Sequence, residues 1–286
     1  MTAALAGGLL LALASAGALN WGYFVQHGVA SELPPLTLRR PIASLRHLFG
    51  SLRWLLGFLV GIGGWVLYVA ALALAPLSLV QAASAGGIGL LALLVSRHTR
   101  LAARERRGVA VAVAGLVLLG ISLAGRTTTA TAGAWGAVAA WIAVSAVVAG
   151  VAASRRSAAG LGIAAGVLYA AGDVATKSAV HGGARLGFVP VLLACHGLAF
   201  VALQLGFQRG GVLATAGLAT LFTNAIPIAA GTTLYGEGLG SLPAVRVLAF
   251  ACTVAGATLL ARAGEPEPRP ASAVALPPAP RAIPFD

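Results

Sequence analysis

Acids are scarce in this chain. Seven Asp and Glu stand against nineteen Lys and Arg in 286 residues, and charged residues of both signs make up only 9%. A soluble domain carries roughly 25% charged residues, so water is not the solvent for most of this surface. Cysteine is nearly absent too. Cys195 and Cys252 both fall inside apolar runs, where a lone thiol acts as a small apolar packing group. No CxxC, HExxH, Walker or Gly-x-Ser-x-Gly pattern occurs, so metalloenzyme, ATPase and serine hydrolase chemistry lack their residues. The chain reads as a non-enzyme with no cofactor and no metal site. Period-two alternation is missing as well, which argues against a β-barrel.

What is present is apolar length. Hydrophobic residues make up 59% of the chain and the mean hydropathy is +0.92. Runs near the ~20 residues that a bilayer-spanning helix requires cover 4–26, 54–75, 77–96, 108–124, 135–153, 158–180, 188–207, 211–234 and 242–260. The expected fold is an all-α polytopic membrane protein of about nine transmembrane helices. The first run contains Ala14-Ser15-Ala16, the small-x-small pattern of a signal cleavage site. No Lys or Arg precedes it, however, and the apolar stretch continues through "NWGYFVQ", so it is read as a retained helix.

The net charge of +12 would point to nucleic acid in a soluble protein, but its distribution excludes that reading. With the N-terminus outside, fifteen basic residues fall on the inner side: Arg39, Arg40, Arg46, Arg53, Arg97, Arg100, Arg104, Arg106, Arg107, Arg155, Arg156, Arg209, Arg262, Arg269 and Arg281. Four fall outside, namely Arg126, Lys177, Arg185 and Arg246. This asymmetry is the positive-inside rule. It predicts a multi-pass protein of the cell membrane with a cytoplasmic C-terminus, whose basic residues contact anionic lipid. Two stretches lie outside the bilayer. Residues 31–53, "SELPPLTLRRPIASLRHLFGSLR", form either a short amphipathic helix on the inner surface or a solvated connector. The tail from 263 to 286 carries seven prolines and is expected to be disordered.

An internal repeat organises the spans. A shift of 150 lays "NWGYFVQHGVA" of the first span over "AAGDVATKSAV" of the sixth, matching Gly22 to Gly172 and His27 to Lys177. The third span, "PLSLVQAASAGGIGLLALLV", likewise parallels the eighth, "RGGVLATAGLATLFTNAIPI". The chain then divides into a first four-helix repeat (1–124), a linking helix (125–157), a second four-helix repeat (158–262) and the tail (263–286). An odd linker inverts the second repeat relative to the first, the usual frame of secondary transporters.

The segments "ALAPLSLVQAASAGGIGLLALLVS" and "LQLGFQRGGVLATAGLATLFTNAIPIAAGTTLYGEGL", the latter ending in Gly-Glu-x-Leu at 236–239, resemble the EamA-type branch of the drug/metabolite transporter superfamily. The nine-span count and the end of the first span lean toward its NIPA-like magnesium-transporter relatives. The resemblance implies a transporter fold over residues 4–262. Two departures accompany it. The usual ten-helix plan is one helix short, at the front, and the first half reads "SRHTRLAARERRG" where a Gly-Glu signature would fall.

Charges inside the sixth span mark a candidate pathway. Helical spacing puts Gly162, Gly166, Tyr169, Asp173 and Thr176/Lys177 on one face, with Asp173 about 22 Å along a roughly 30 Å core. Small residues permit close helix contact, and intramembrane acids face protein or a wet cavity. Asp173 and Lys177 then form either an i,i+4 pair at a helix end or a vestibule group for a cationic or zwitterionic substrate or a coupling ion, with Lys177 holding the charge of Asp173. Further polar positions are His196, a packing group or a proton relay, and Asn224, which shares a face with Thr220, Gly231 and Tyr235. Pro227 frees the carbonyl of Thr223. Asn20 and Gln81 of the first repeat are placed to face these across the cavity, each otherwise making an interhelical hydrogen bond. Glu237 reads as a structural anchor.

The inventory separates the candidate functions. Small multidrug resistance proteins of the same superfamily rely on a glutamate in the first helix, which this chain lacks. Magnesium is held through one or two carboxylates, leaving Asp173 nearly alone. Amides, hydroxyls and the rings of Trp21, Tyr23, Trp65 and Tyr169 suit a small polar metabolite better. The expected function is a permease working by alternating access on a small-molecule or ion substrate. The alternatives are a divalent-cation transporter and a non-transporting membrane partner. A homodimer is compatible with all three.

Overall fold

The computed structural model describes residues 3–34, 36, 41–84, 86–123, 131–237 and 242–263. Arg39, Arg40, Arg126, Leu239 and the Pro-rich tail beyond 263 lie outside the described residues. Among the described residues there is no strand. The helices are α1 (Ala3–Ala30), α2 (Pro41–Phe49), α3 (Leu52–Leu74), α4 (Leu77–Ser84), α5 (Gly87–Ser96), α6 (Ala103–Leu123), α7 (Trp135–Ser154), α8 (Ala158–Ala179), α9 (Val189–Phe207), α10 (Leu218–Leu234) and α11 (Pro243–Ala263). Among the described residues eight segments are long and apolar enough to cross a membrane. The first run continues to Ala30, past the expected end at 26. α6 is a further 21-residue helix whose N-terminal turns carry Arg104, Glu105, Arg106 and Arg107.

The third span is described as α4 and α5, with residue 85 between them outside the described residues and Gly86 in right-handed helical conformation; Leu79–Ser96 is long and apolar enough to cross a membrane. The eighth span departs from a regular α-helix, with a π-helical turn at Leu213–Gly217 leading into α10. Starts are marked by short polar caps. The Ser51 hydroxyl accepts from Trp54 N at the head of α3, and the Ser157 hydroxyl accepts from Gly160 N at the head of α8. α9 carries Pro190 in its first turn, which suits it because its missing N–H has no helical partner there.

α8 is the axis of the molecule. It packs along α9, α7 and α10, while α1 packs along α3 and α6 along α11; α10 also touches α4. Nearly every residue of α8 is buried, whereas α7 buries only Val138, Ser145 and Ala149. Composition explains the contrast, since α8 is built largely of Ala and Gly and tolerates backbones on several sides. A Cβ at Gly166 would stand 2.7 Å from Ala219 O, so only glycine fits where α8 meets α10.

Candidate functional site

α8 brings Tyr169 and Asp173, one turn apart, into the middle of the bundle, where Asp173 is 3% exposed. An isolated carboxylate at such a site is costly, and three helices supply partners. Gln81 Nε2, on α4, donates to Asp173 Oδ2 at 2.9 Å and also lies 2.5 Å from the Tyr68 hydroxyl on α3. His196 Nε2, on α9, lies 3.5 Å from Asp173 Oδ1. This approach depends on Gly172, because a Cβ there would run into the His196 ring.

The two nitrogens of His196 have different tasks. Nδ1 is 2.8 Å from Leu192 O, a carbonyl that needs a donor. Nε2 is 3.1 Å from Trp65 Nε1, an indole nitrogen that can only donate. In the neutral ring the proton therefore sits on Nδ1, and the Nε2 lone pair faces Trp65. A proton added at Nε2 would turn that nitrogen toward Asp173. The arrangement can hold a proton or a cation between a carboxylate and an imidazole, away from water.

Six of the seven pathway residues read from the sequence line a single cavity of about 380 Å³: Asn20, Gln81, Tyr169, Asp173, His196 and Asn224. Asn20 Nδ2 donates to Ala16 O at 2.9 Å, and its Oδ1 accepts from Thr220 Oγ1 at 3.3 Å, joining α1 to α10. Asn224 Nδ2 donates to Thr220 O at 2.6 Å. Its Oδ1 is buried and has no partner in the protein, as is Ser15 Oγ, and both residues line the cavity. Buried polar atoms are normally paired, and these two oxygens are enclosed without a protein partner in residues of the cavity wall. Most of the remaining wall is apolar or aromatic, including Tyr23, Phe58, Trp65 and Phe200.

Lys177 is the exception, and both expected roles for it are corrected. It neither pairs with Asp173 nor lines the cavity. Its Nζ donates to Leu72 O at 2.9 Å and Ala75 O at 3.0 Å, at the end of α3. At that same end Glu237 Oε1 accepts from Leu77 N at 2.7 Å, at the start of α4. Helix geometry accounts for the correction. Asp173 points to the centre, while one turn later α8 has reached the α3–α4 connection, where unpaired carbonyls and an N–H await partners. Pro227 lies buried inside α10 and does not line the cavity. Trp21 also lies off it.

Sequence reasoning overlooked the opposite end. Gln204 Nε2 donates to Gln26 Oε1 at 2.6 Å, and Trp54 Nε1 donates to Gln204 Oε1 at 3.2 Å. Trp54 and Phe58 stack at 5.3 Å with rings 9° apart, and Phe49 and Phe200 meet them edge-on. The available signal was Gln26 and Gln204, amides inside apolar spans like Asn20 and Gln81. No family model, curated protein or solved structure matches this chain.

Proposed function

We propose that the chain is a secondary transporter of the cell membrane that moves a small organic solute by alternating access, without ATP hydrolysis. One observation carries this reading. A cavity of about 380 Å³, within the range of small-molecule sites, lies between residues of the first and second halves and holds a buried Asp173 beside His196. Among the described residues the charged group of the wall is the carboxyl of Asp173. It complements a solute whose polar end donates hydrogen bonds or carries positive charge, consistent with a small polar metabolite.

The repeat reading draws support from the packing. Gly22 of α1 faces Gly57 and Gly61 of α3, while its repeat partner Gly172 of α8 faces His196 of α9. α1 with α3 thus corresponds to α8 with α9, and α6 with α11 closes the scheme of nine spans in two inverted sets of four around α7. With the N-terminus outside, the Lys177 end faces outward and the Gln204 end inward. Side chains link the halves at both ends, so each set of links would break in turn as cargo passes. Divalent-cation transport rests on Asp173 as a ligand. Among the described residues no three His, Cys, Asp or Glu gather together.

Purified protein in liposomes tests this with uptake and counterflow of amino acids, nucleosides, polyamines and Mg²⁺. At least one organic solute is expected to exchange. Asp173→Asn should reduce that exchange about tenfold or more, the scale of a lost charge-assisted hydrogen bond. If no solute exchanges and Asp173→Asn changes nothing, the chain is a membrane partner protein rather than a carrier. Exchange of Mg²⁺ alone would instead favour the cation reading.

A further inference from the structure

α3 and α9 touch at two levels and part between them. At one level Phe58 and Phe200 meet with ring centroids 5.5 Å apart. At the other, Trp65 Nε1 donates to His196 Nε2 at 3.1 Å. Gly61 and Ile62 on α3 and Gly197 on α9 lie between these levels, with Leu193 one turn from Gly197. Two of the four have no side chain to fill the gap. A Cβ at Gly197 would meet nothing within 4 Å, and the nearest atom to one at Gly61 is Gln26 Nε2 at 3.7 Å. Ile62 and Leu193 line the cavity and are 45% and 57% exposed. Side chains this accessible in a cavity wall mark where the wall opens.

The depth of this opening decides what can use it. Ile62 is the eleventh of the 23 residues of α3, so it sits about 15 Å along a helix that crosses roughly 30 Å of hydrocarbon. An aperture at that level faces acyl chains. Its rim of Ile62, Phe58 and Phe200 is apolar, whereas the wall behind it holds Asp173, hydrogen-bonded to Gln81 and within 3.5 Å of His196. Among the described residues no Lys or Arg lines the cavity. Tyr169 and Trp65 flank His196, each steeply tilted to its ring with centroids 5.6 Å away, and add aromatic surface beside the carboxylate.

We propose that the cavity takes its ligand sideways from the bilayer through the window between α3 and α9, and that this ligand is an amphipathic amine. Its hydrocarbon body lies in the window between Ile62 and Gly197. Its ammonium group reaches Asp173, between Gln81 and His196. This deepens the transporter reading and rests on it for the identity of the cargo, while the window itself can be tested without any transport.

The test is photolabelling in proteoliposomes with a decylamine bearing a diazirine on its terminal carbon, mapped by peptide mass spectrometry. Label is expected at Phe58, Ile62 and Phe200, well above the level at Val147, a residue 68% exposed on α7, which packs along α8. Asp173→Asn should lower the window label about tenfold and leave Val147 unchanged. Gly197→Trp, which fills open space, should lower it without touching Asp173. Ile62→Ala, which widens the rim, should raise it. Label no stronger at the window than at Val147 would overturn the proposal. Equal window labelling by the uncharged decanol analogue, or no loss in Asp173→Asn, would assign the window to ordinary acyl chains and overturn the amine. Window labelling with no solute exchange in any counterflow arm would support the site and reject the transporter reading, so the two fail separately.

Discussion

The two ends of the cavity are fastened by different chemistry. At the Lys177 end the links between halves are charged: an ammonium on two carbonyls of α3 and a carboxylate on the first N–H of α4. Both side chains complement helix ends, a cation at a C-terminus and an anion at an N-terminus. At the Gln204 end the links are neutral amides beneath an aromatic cluster of Phe49, Trp54, Phe58 and Phe200. The difference teaches how each end opens. Charged groups regain hydration when water enters, which offsets the bonds they lose. Aromatic rings gain nothing from water, so that end is held by packing and by area kept dry.

The largest effect expected from breaking this contrast comes from the aromatic side. Trp54 is fully buried, and Trp54→Ala should cost about 3–5 kcal/mol, read as a fall in thermal stability in detergent, with faster labelling of a cysteine at position 26 than at 173. Lys177→Met comes next. It leaves the Leu72 and Ala75 carbonyls without their donor, at about 1–3 kcal/mol, and should speed labelling at position 173 while leaving position 26 unchanged. Faster labelling at both positions would show that the two ends are not separate clasps. Gln204→Leu is the mildest. It removes two neutral bonds at about 0.6 kcal/mol each, and the aromatic cluster should keep its end closed, giving a small drop in melting temperature and no change in accessibility.

Much of the site could be read before any fold was known, and the physical reason is simple. Asn20, Gln81, Asp173, His196 and Asn224 are polar residues in spans that are otherwise apolar, and placing such groups against lipid is costly enough that they must face one another or a cavity. Their pairing was not legible. Lys177 is the nearest charge to Asp173 along the helix, but one turn of α8 carries it to the end of α3. The actual partner, His196, lies on another helix and reaches Asp173 only because residue 172 has no side chain. The π-turn of the eighth span was equally hidden. The apolar run continues through Leu213–Gly217, so nothing in its pattern marks the turn.

The most direct measurement of the central claim uses single cysteines at positions 20, 81 and 224, in a chain with Cys195 and Cys252 replaced, treated with a membrane-impermeant thiol reagent from each side in turn. The account predicts that all three react from both sides at rates that shift in opposite directions when an exchanging solute is added, and that Asp173→Asn abolishes the shift. Reaction from one side only, at rates indifferent to every solute and to Asp173→Asn, would contradict it.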